Sequence, residues 1–437
     1  MDIKKLSIVL SILIIGCKID QDNLNKQKPI RFFVASDIHY FDPSLFSLPA
    51  NGYLNGYLEN DRKLLPESSA IFHRLLSTVL TEKPDFILIS GDLTKDGEKV
   101  DHLIVASLFK TLSDKGIRVF VVPGNHDINN ANSFSYLESA RTRVGNISAS
   151  EFADIYQECG YREALGRDPN SLSYVSEPAE GIWVLAIDAC HYSTVVETAG
   201  SIKPETLDWI KSVLAKSQKE DKQVIAMMHH GMMEHFTGQT NFFPGYIISD
   251  WQDISATLAD LGLKVVFTGH SHAQDIVRKN SSNGFIYDIE TGSTVTFPCP
   301  FRKVTLDTGD RTMKVESGKI TDVTCSTIPP GTDFQAYAQF FLTNALTNYM
   351  VSLLTHAPYH IPAETIKLFG IDRILTNGFL AYIMGDEKPQ ETDNADIQII
   401  NNLNPQMGET LRNVWTDPAP ADNNVMIDLT NGTVINK

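Results

Sequence analysis

Five short segments concentrate the chemistry of this sequence. They are Ser36-Asp37-Ile38-His39, Gly91-Asp92, Pro123-Gly124-Asn125-His126-Asp127, His229-His230 and Gly269-His270-Ser271-His272, and they hold six of the chain's twelve histidines. Carboxylate oxygens, an amide oxygen and imidazole nitrogens together suit divalent Mn, Fe, Co or Zn. A thiolate-rich metal site is excluded, because Cys159, Cys190, Cys299 and Cys325 are scattered without a Cys-x-x-Cys pair. No Gly-x-Ser-x-Gly elbow and no phosphate loop ending in Gly-Lys-Ser/Thr is present, so no protein nucleophile stands out. Singly, each segment is weak, since an Asp after a strand usually caps a turn. Five of them in order point to one converging site.

The elements that must position these residues are short apolar runs: Ile30–Ala35, Phe86–Ser90, Val119–Val122, Ile182–Ile187, Val224–Met228, Val265–Thr268 and Phe285–Ile289. Runs of this length and β-branched content predict buried strands. Between them, Phe72, Leu75, Leu76, Val79 and Leu80 share one helical face, and Leu103, Ile104, Leu108, Phe109 and Leu112 share another. Pro204 opens a third helix. Strands alternating with helices predict an α/β layered fold, and the closer spacing from Phe285 to Val315 predicts hairpins, and with them a mixed sheet or a two-sheet sandwich flanked by helices rather than a purely parallel sheet. Each chemical segment follows a strand, where ligands gather in α/β sheets. From about Thr332 the strand-turn-helix texture is lost, and 330–437 reads as a helical appendage free to cover the cleft, dimerise or stabilise the core.

The ordered blocks resemble those of the calcineurin-like metallophosphoesterase superfamily: Asp-x-His, Gly-Asp, Gly-Asn-His-Asp, His and Gly-His-x-His, over about residues 30–290. The resemblance implies a four-layer αββα sandwich with two divalent ions. Carried over, Asp37, His39, Asp92 and His272 bind the first ion, and Asp92, Asn125, His229 and His270 bind the second, with Asp92 bridging. His229 rather than His230 is the expected ligand, as the first histidine after the strand. His126 is the expected non-ligand histidine at the reaction centre, with Asp127 orienting it. A hydroxide shared by the ions is then the nucleophile. The form Gly91-Asp92-Leu93-Thr94-Lys95-Asp96-Gly97 looks like the branch with class III cyclic nucleotide phosphodiesterases and glycerophosphodiesterases. It tilts the expected substrate to a small phosphodiester, with a phosphomonoester as the rival and a noncatalytic binding protein as the rival of another class. Thr94, His230 and His191 are further candidates for the substrate rim; Thr94 reads equally as a turn cap and His191 as structural. The aromatic insertion Tyr40–Leu65 forms either a pocket wall or a surface loop.

The net charge of −16 excludes a general basic footprint for nucleic acid. At the N-terminus, Lys4 and Lys5 precede an apolar run, Leu6–Ile15, that ends in Ile14-Ile15-Gly16-Cys17. The run has signal-peptide length, and its end resembles a bacterial lipobox. Residues 1–17 are therefore expected to be a lipoprotein signal with Cys17 lipidated, 18–29 a polar tether, 30–329 the phosphoesterase domain and 330–437 the helical part. The expected location is extracytoplasmic, lipid-anchored in a bacterial cell envelope. The four remaining cysteines allow three disulfide connectivities or free thiols.

Overall fold

The structure is a computed structural model that describes residues 28–437 except 60, 193–196, 357–358, 386, 389–390, 417–418 and 436–437. The expected signal segment and Cys17 therefore lie outside the described residues.

Among the described residues there are sixteen strands: β1 (Ile30–Ala35), β2 (Phe86–Ile89), β3 (Arg118–Val121), β4 (Phe134–Ser135), β5 (Thr142–Arg143), β6 (Gly166–Arg167), β7 (Tyr174–Ala179), β8 (Ile182–Ile187), β9 (Gln223–Met228), β10 (Val265–Thr268), β11 (Asp275–Asn280), β12 (Phe285–Glu290), β13 (Pro300–Asp307), β14 (Thr312–Lys319), β15 (Asn424–Asp428) and β16 (Thr433–Val434). One seven-stranded sheet has the order β16-β15-β14-β13-β1-β2-β3, and a second has β11-β12-β10-β9-β8-β7-β6; β4 and β5 pair separately. Within the first sheet β1, β2 and β3 run parallel, and β13 joins β1 antiparallel. In the second, β8, β9, β10 and β12 are parallel. All seven apolar runs of the sequence are strands.

Strand alternation explains the layering. On β8, Val184 and Ala186 join the core shared by the two sheets, while Trp183, Leu185 and Ile187 face a second cluster with the helices Pro204–Lys219 and Trp251–Asp260. Phe32 of β1 meets Phe267 of β10 edge-on at 5.6 Å, so the sheets pack face to face. Helices Ser68–Glu82 and Lys99–Ser113 cross between β1, β2 and β3, with Phe72 and Phe109 in contact. The result is the expected αββα sandwich with C-terminal helices.

Among the strands that escaped the sequence pattern, β7 and β11 did so because Ser176, Glu177, Arg278 and Lys279 break their apolar content. The expectation of an entirely helical 330–437 needs correction. Helices Phe334–Thr355, Ala363–Phe369, Ile371–Met384, Glu391–Leu403 and Pro405–Val414 are followed by β15 and β16, which extend the first sheet through β14. Phe334, Ala338, Leu342 and Leu346 also join the sandwich core. Cys159, Cys190, Cys299 and Cys325 are free thiols. Among the described residues no helix is long and apolar enough to cross a membrane.

Candidate metal centre

Five strands, β1, β2 and β3 of one sheet and β9 and β10 of the other, aim their carboxyl ends at one place. Each turns sharply there, and the turns need unusual backbone. Asp37, His39, Asp92, His270 and His272 have φ of 51°, 41°, 49°, 74° and 63°. Non-glycine residues in this region carry strain of about 1–3 kcal/mol each and persist only where surrounding structure holds them. Here the loops are laced together: the Asp37 N–H donates to Gly91 O at 3.1 Å and the His39 N–H to Asp92 O at 2.9 Å. Glycine permits the close approach. A Cβ on Gly124 would collide with the Asp92 carboxylate, and one on Gly269 with Ser36 and Asp37.

The side chains converge on Asp92. Its Oδ2 lies 3.5 Å from His39 Nε2 and 3.4 Å from His229 Nε2. On one side Asp37 Oδ1 is 3.3 Å from His272 Nε2, and the Nε2 atoms of His39 and His272 are 3.3 Å apart. On the other, Asn125 Oδ1 is 3.0 Å from His229 Nε2, and Asp92, His229 and His270 form a compact ligand group. Outer partners hold two of the rings: His229 Nδ1 donates to Ser90 O at 2.8 Å, and His272 Nδ1 is 3.0 Å from the Thr296 hydroxyl. Their Nε2 atoms are thereby turned inward, as metal ligands require. Asp37 Oδ1 and His270 Nε2 are buried without a hydrogen-bond partner. Buried polar atoms are rarely left so, and divalent cations would satisfy both. The donor set and its geometry fit such ions.

Electrostatics follow the same division. Burial, with Lys63 nearby, holds His39 well below its ordinary range; burial and the neighbouring histidines do the same to His270. Burial also opposes charge on His229, but Asp92 overcomes it and lifts the imidazole to about 9. Burial opposes ionisation of Asp92, yet His229 and His126 hold it well below the usual carboxylate range.

Of the other predicted residues, His126 sits at the rim, partly exposed, its ring edge-on to His39 at 5.0 Å. Its orienting partner corrects the expectation. Asp96 Oδ1, not Asp127, lies 2.9 Å from His126 Nδ1. Asp127 faces away and accepts from the N–H groups of Leu93, Thr94 and Gly124. It braces the loops, joining the turn after β2 to the turn after β3. Thr94 is likewise a turn brace, donating to Asp127 Oδ1 at 3.0 Å and accepting from the Gly97 N–H. His230 is turned from the cluster, with Nε2 2.9 Å from Thr198 O, and His191 binds Glu197 and Ser201. Neither lines the cavity over the cluster. Asp96 was legible only as a member of the Gly91–Gly97 motif; it is itself paired with Lys95.

That cavity has a volume of about 270 Å³. Its floor includes Asp92, Asn125, His126, His270 and His272. Its walls come from segments the sequence left open: Arg62 and Lys63 of the Tyr40–Leu65 insertion, and Tyr349 and Phe379 of the C-terminal helices.

The sequence profile of the family described as "Calcineurin-like phosphoesterase" matches residues 30–274. Two bacterial relatives are named probable cyclic nucleotide phosphodiesterases. That of Psychrobacter arcticus is 26% identical over 190 residues, 44% of this chain and 57% of the relative. That of a Pseudoalteromonas species is 41% identical over 56 residues, 13% of this chain and 21% of the relative. The chain thus spans little more than half the length of the first of these curated relatives, and less of the second. Among solved structures, a dimetal phosphatase from Danio rerio aligns with 67% of this chain and 97% of its own length, at 14% identity and a TM-score of 0.47.

Proposed function

Because this chain belongs to the calcineurin-like phosphoesterase family, a family of metal-dependent hydrolases, we propose that it hydrolyses a small phosphodiester with the aid of two divalent ions. Asp37, His39, Asp92 and His272 would hold one ion; Asp92, Asn125, His229 and His270 would hold the other. The observation that carries this proposal is the placement of Asp92 Oδ2 almost equidistant, at 3.5 and 3.4 Å, from the imidazoles of the two ligand groups. A carboxylate oxygen so placed suits a bridging role. Bound ions supply charge that polarises phosphoryl oxygens and acidity that yields hydroxide near neutral pH.

The chain's own residues do the rest. His126, raised above its ordinary range because Asp92 and Asp96 outweigh its burial, is placed to donate a hydrogen bond or proton to the phosphoryl or leaving oxygen. Asp96 fixes its ring through Nδ1. Lys63 keeps positive charge at the cavity despite the chain's net −16.

The names of the two bacterial relatives and the Gly91–Gly97 motif support a diester over a monoester. The test compares turnover of bis-p-nitrophenyl phosphate and p-nitrophenyl phosphate by the Mn²⁺-loaded protein, with chelator as control. Faster diester turnover is expected. A strong monoester preference makes the protein a phosphatase, and no hydrolysis of either makes it a noncatalytic binder. The Cys17 motif supports lipid anchoring on the outer side of a bacterial membrane, and Cys17→Ser should then move the protein from the membrane to the soluble fraction.

A further inference from the structure

Three segments far apart in sequence meet above the cradle. Arg62 comes from the insertion after β1, Tyr246 from the loop after β9, and Tyr349 from the helix Phe334–Thr355; all line the cavity. The Tyr246 and Tyr349 phenols are near enough to Arg62 to act on its charge. Tyr246 lies 4.7 Å from the His270 ring, and the aromatic contacts continue to Phe243 at 5.3 Å and from Phe243 to Phe379 at 5.6 Å. One wall of the cavity is thus a run of aromatic faces that begins at a candidate metal ligand and climbs into the C-terminal helices.

Positive charge sits beside these rings. Lys63 is buried, with Asp61 at 3.4 Å offsetting one of the two positive charges. The Arg62 guanidinium is planar and weakly hydrated, so it stacks on flat π systems as well as pairing with phosphate oxygens. A methyl or other small alkyl arm would leave these faces bare. A ring would lie against these faces, and a cavity of about 270 Å³ has room for a small ring.

We infer that Arg62, Tyr246 and Tyr349 form a subsite for a flat, unsaturated ester arm of the substrate, so that the C-terminal helices are part of the substrate site. The inference rests on the phosphoesterase proposal and adds a selectivity that the metal cradle alone does not provide. Tyr349 and Arg62 are specificity residues here, with no part in holding the ions.

Calorimetric titration of the Mn²⁺-loaded protein with phenylphosphonate, methylphosphonate and inorganic phosphate tests it without relying on turnover. Phenylphosphonate should bind about tenfold tighter than methylphosphonate, the scale of one ring stacked on an aromatic face. Tyr349→Ala and Arg62→Gln, both at partly exposed positions, should shrink that ratio towards one while melting temperature and Mn²⁺ content stay at wild-type values. Equal binding of the two phosphonates, or an unchanged ratio in both variants, overturns the subsite alone. If no phosphonate and no phosphate binds at all, the phosphoesterase proposal fails and the subsite falls with it.

Discussion

The metal cradle and the cover above it are built by opposite means. Cradle residues hang from strand ends, each within four residues of a buried β-strand, and five of them hold left-handed backbone. Their positions are set by local turns and by hydrogen bonds between adjacent loops. The cover gathers Arg62, Tyr246, Tyr349 and Phe379 from segments more than 300 residues apart at the extremes, and only tertiary packing places them. Phe379 and Met350 belong to a separate apolar cluster that includes Phe236 and Ala273 of the sandwich loops. The contrast separates two tasks. Chemistry needs atoms fixed within tenths of an ångström, which strained, laced turns supply; selectivity needs shape, which packed side chains supply.

The most severe way to break this division is at its centre. Asp92→Ala should lower phosphodiester turnover by at least about a thousandfold, since both ligand groups lose their common member. Steady-state kinetics that retained a tenth of the activity would refute the shared role. His126→Ala should cost about 10²–10⁴-fold in kcat with metal content intact. Loss of metal in that variant, but not in His229→Ala, would reverse the two assignments. Asp96→Asn sharpens the boundary further. It should slow the reaction about 10–100-fold and blunt the pH dependence of kcat, as expected of a residue that orients another. Asp127→Asn should instead lower the melting temperature, costing about 1–3 kcal/mol through lost backbone partners. If Asp127→Asn impaired kcat more than Asp96→Asn at equal stability, the partner of His126 would be misassigned.

These same residues show what a sequence can carry. The cradle was legible because strand, turn and ligand are contiguous: β1 leads into Asp37 and His39, β10 into His270 and His272. Asp127 was misjudged because adjacency to His126 implied a contact, whereas successive side chains on that loop point apart and Asp96 reaches the imidazole from the preceding loop. Arg62, Tyr246 and Tyr349 had no signal of their own; cationic and aromatic residues are common on any surface. β15 was hidden by a helical stretch of some 80 residues before it, and its place beside β14 is a long-range pairing that no local pattern encodes.

A smaller effect tests the scaffold beneath the cradle. His102 is buried on the helix Lys99–Ser113, with Nε2 2.8 Å from Asp127 O and Nδ1 2.9 Å from the Tyr156 hydroxyl. Burial pushes its imidazole down from 6.5 to about 3. The unfolded chain takes up that proton on acidification before the folded one does, so the stabilisation is complete above pH 6.5 and declines towards pH 3. The slope from this one group approaches about 1.4 kcal/mol per pH unit in the window. Denaturant melts of His102→Gln between pH 6.5 and 4 should show a shallower decline than wild type; identical slopes would mean that His102 does not stay neutral in the fold.

The most direct test of the shared cradle is elemental analysis of the purified protein after Mn²⁺ loading and removal of free metal. Two ions per chain in the wild type, falling well below two in Asp92→Ala, is the predicted result. One ion or none in the wild type, or an unchanged two in Asp92→Ala, would contradict a pair of cations joined by this carboxylate.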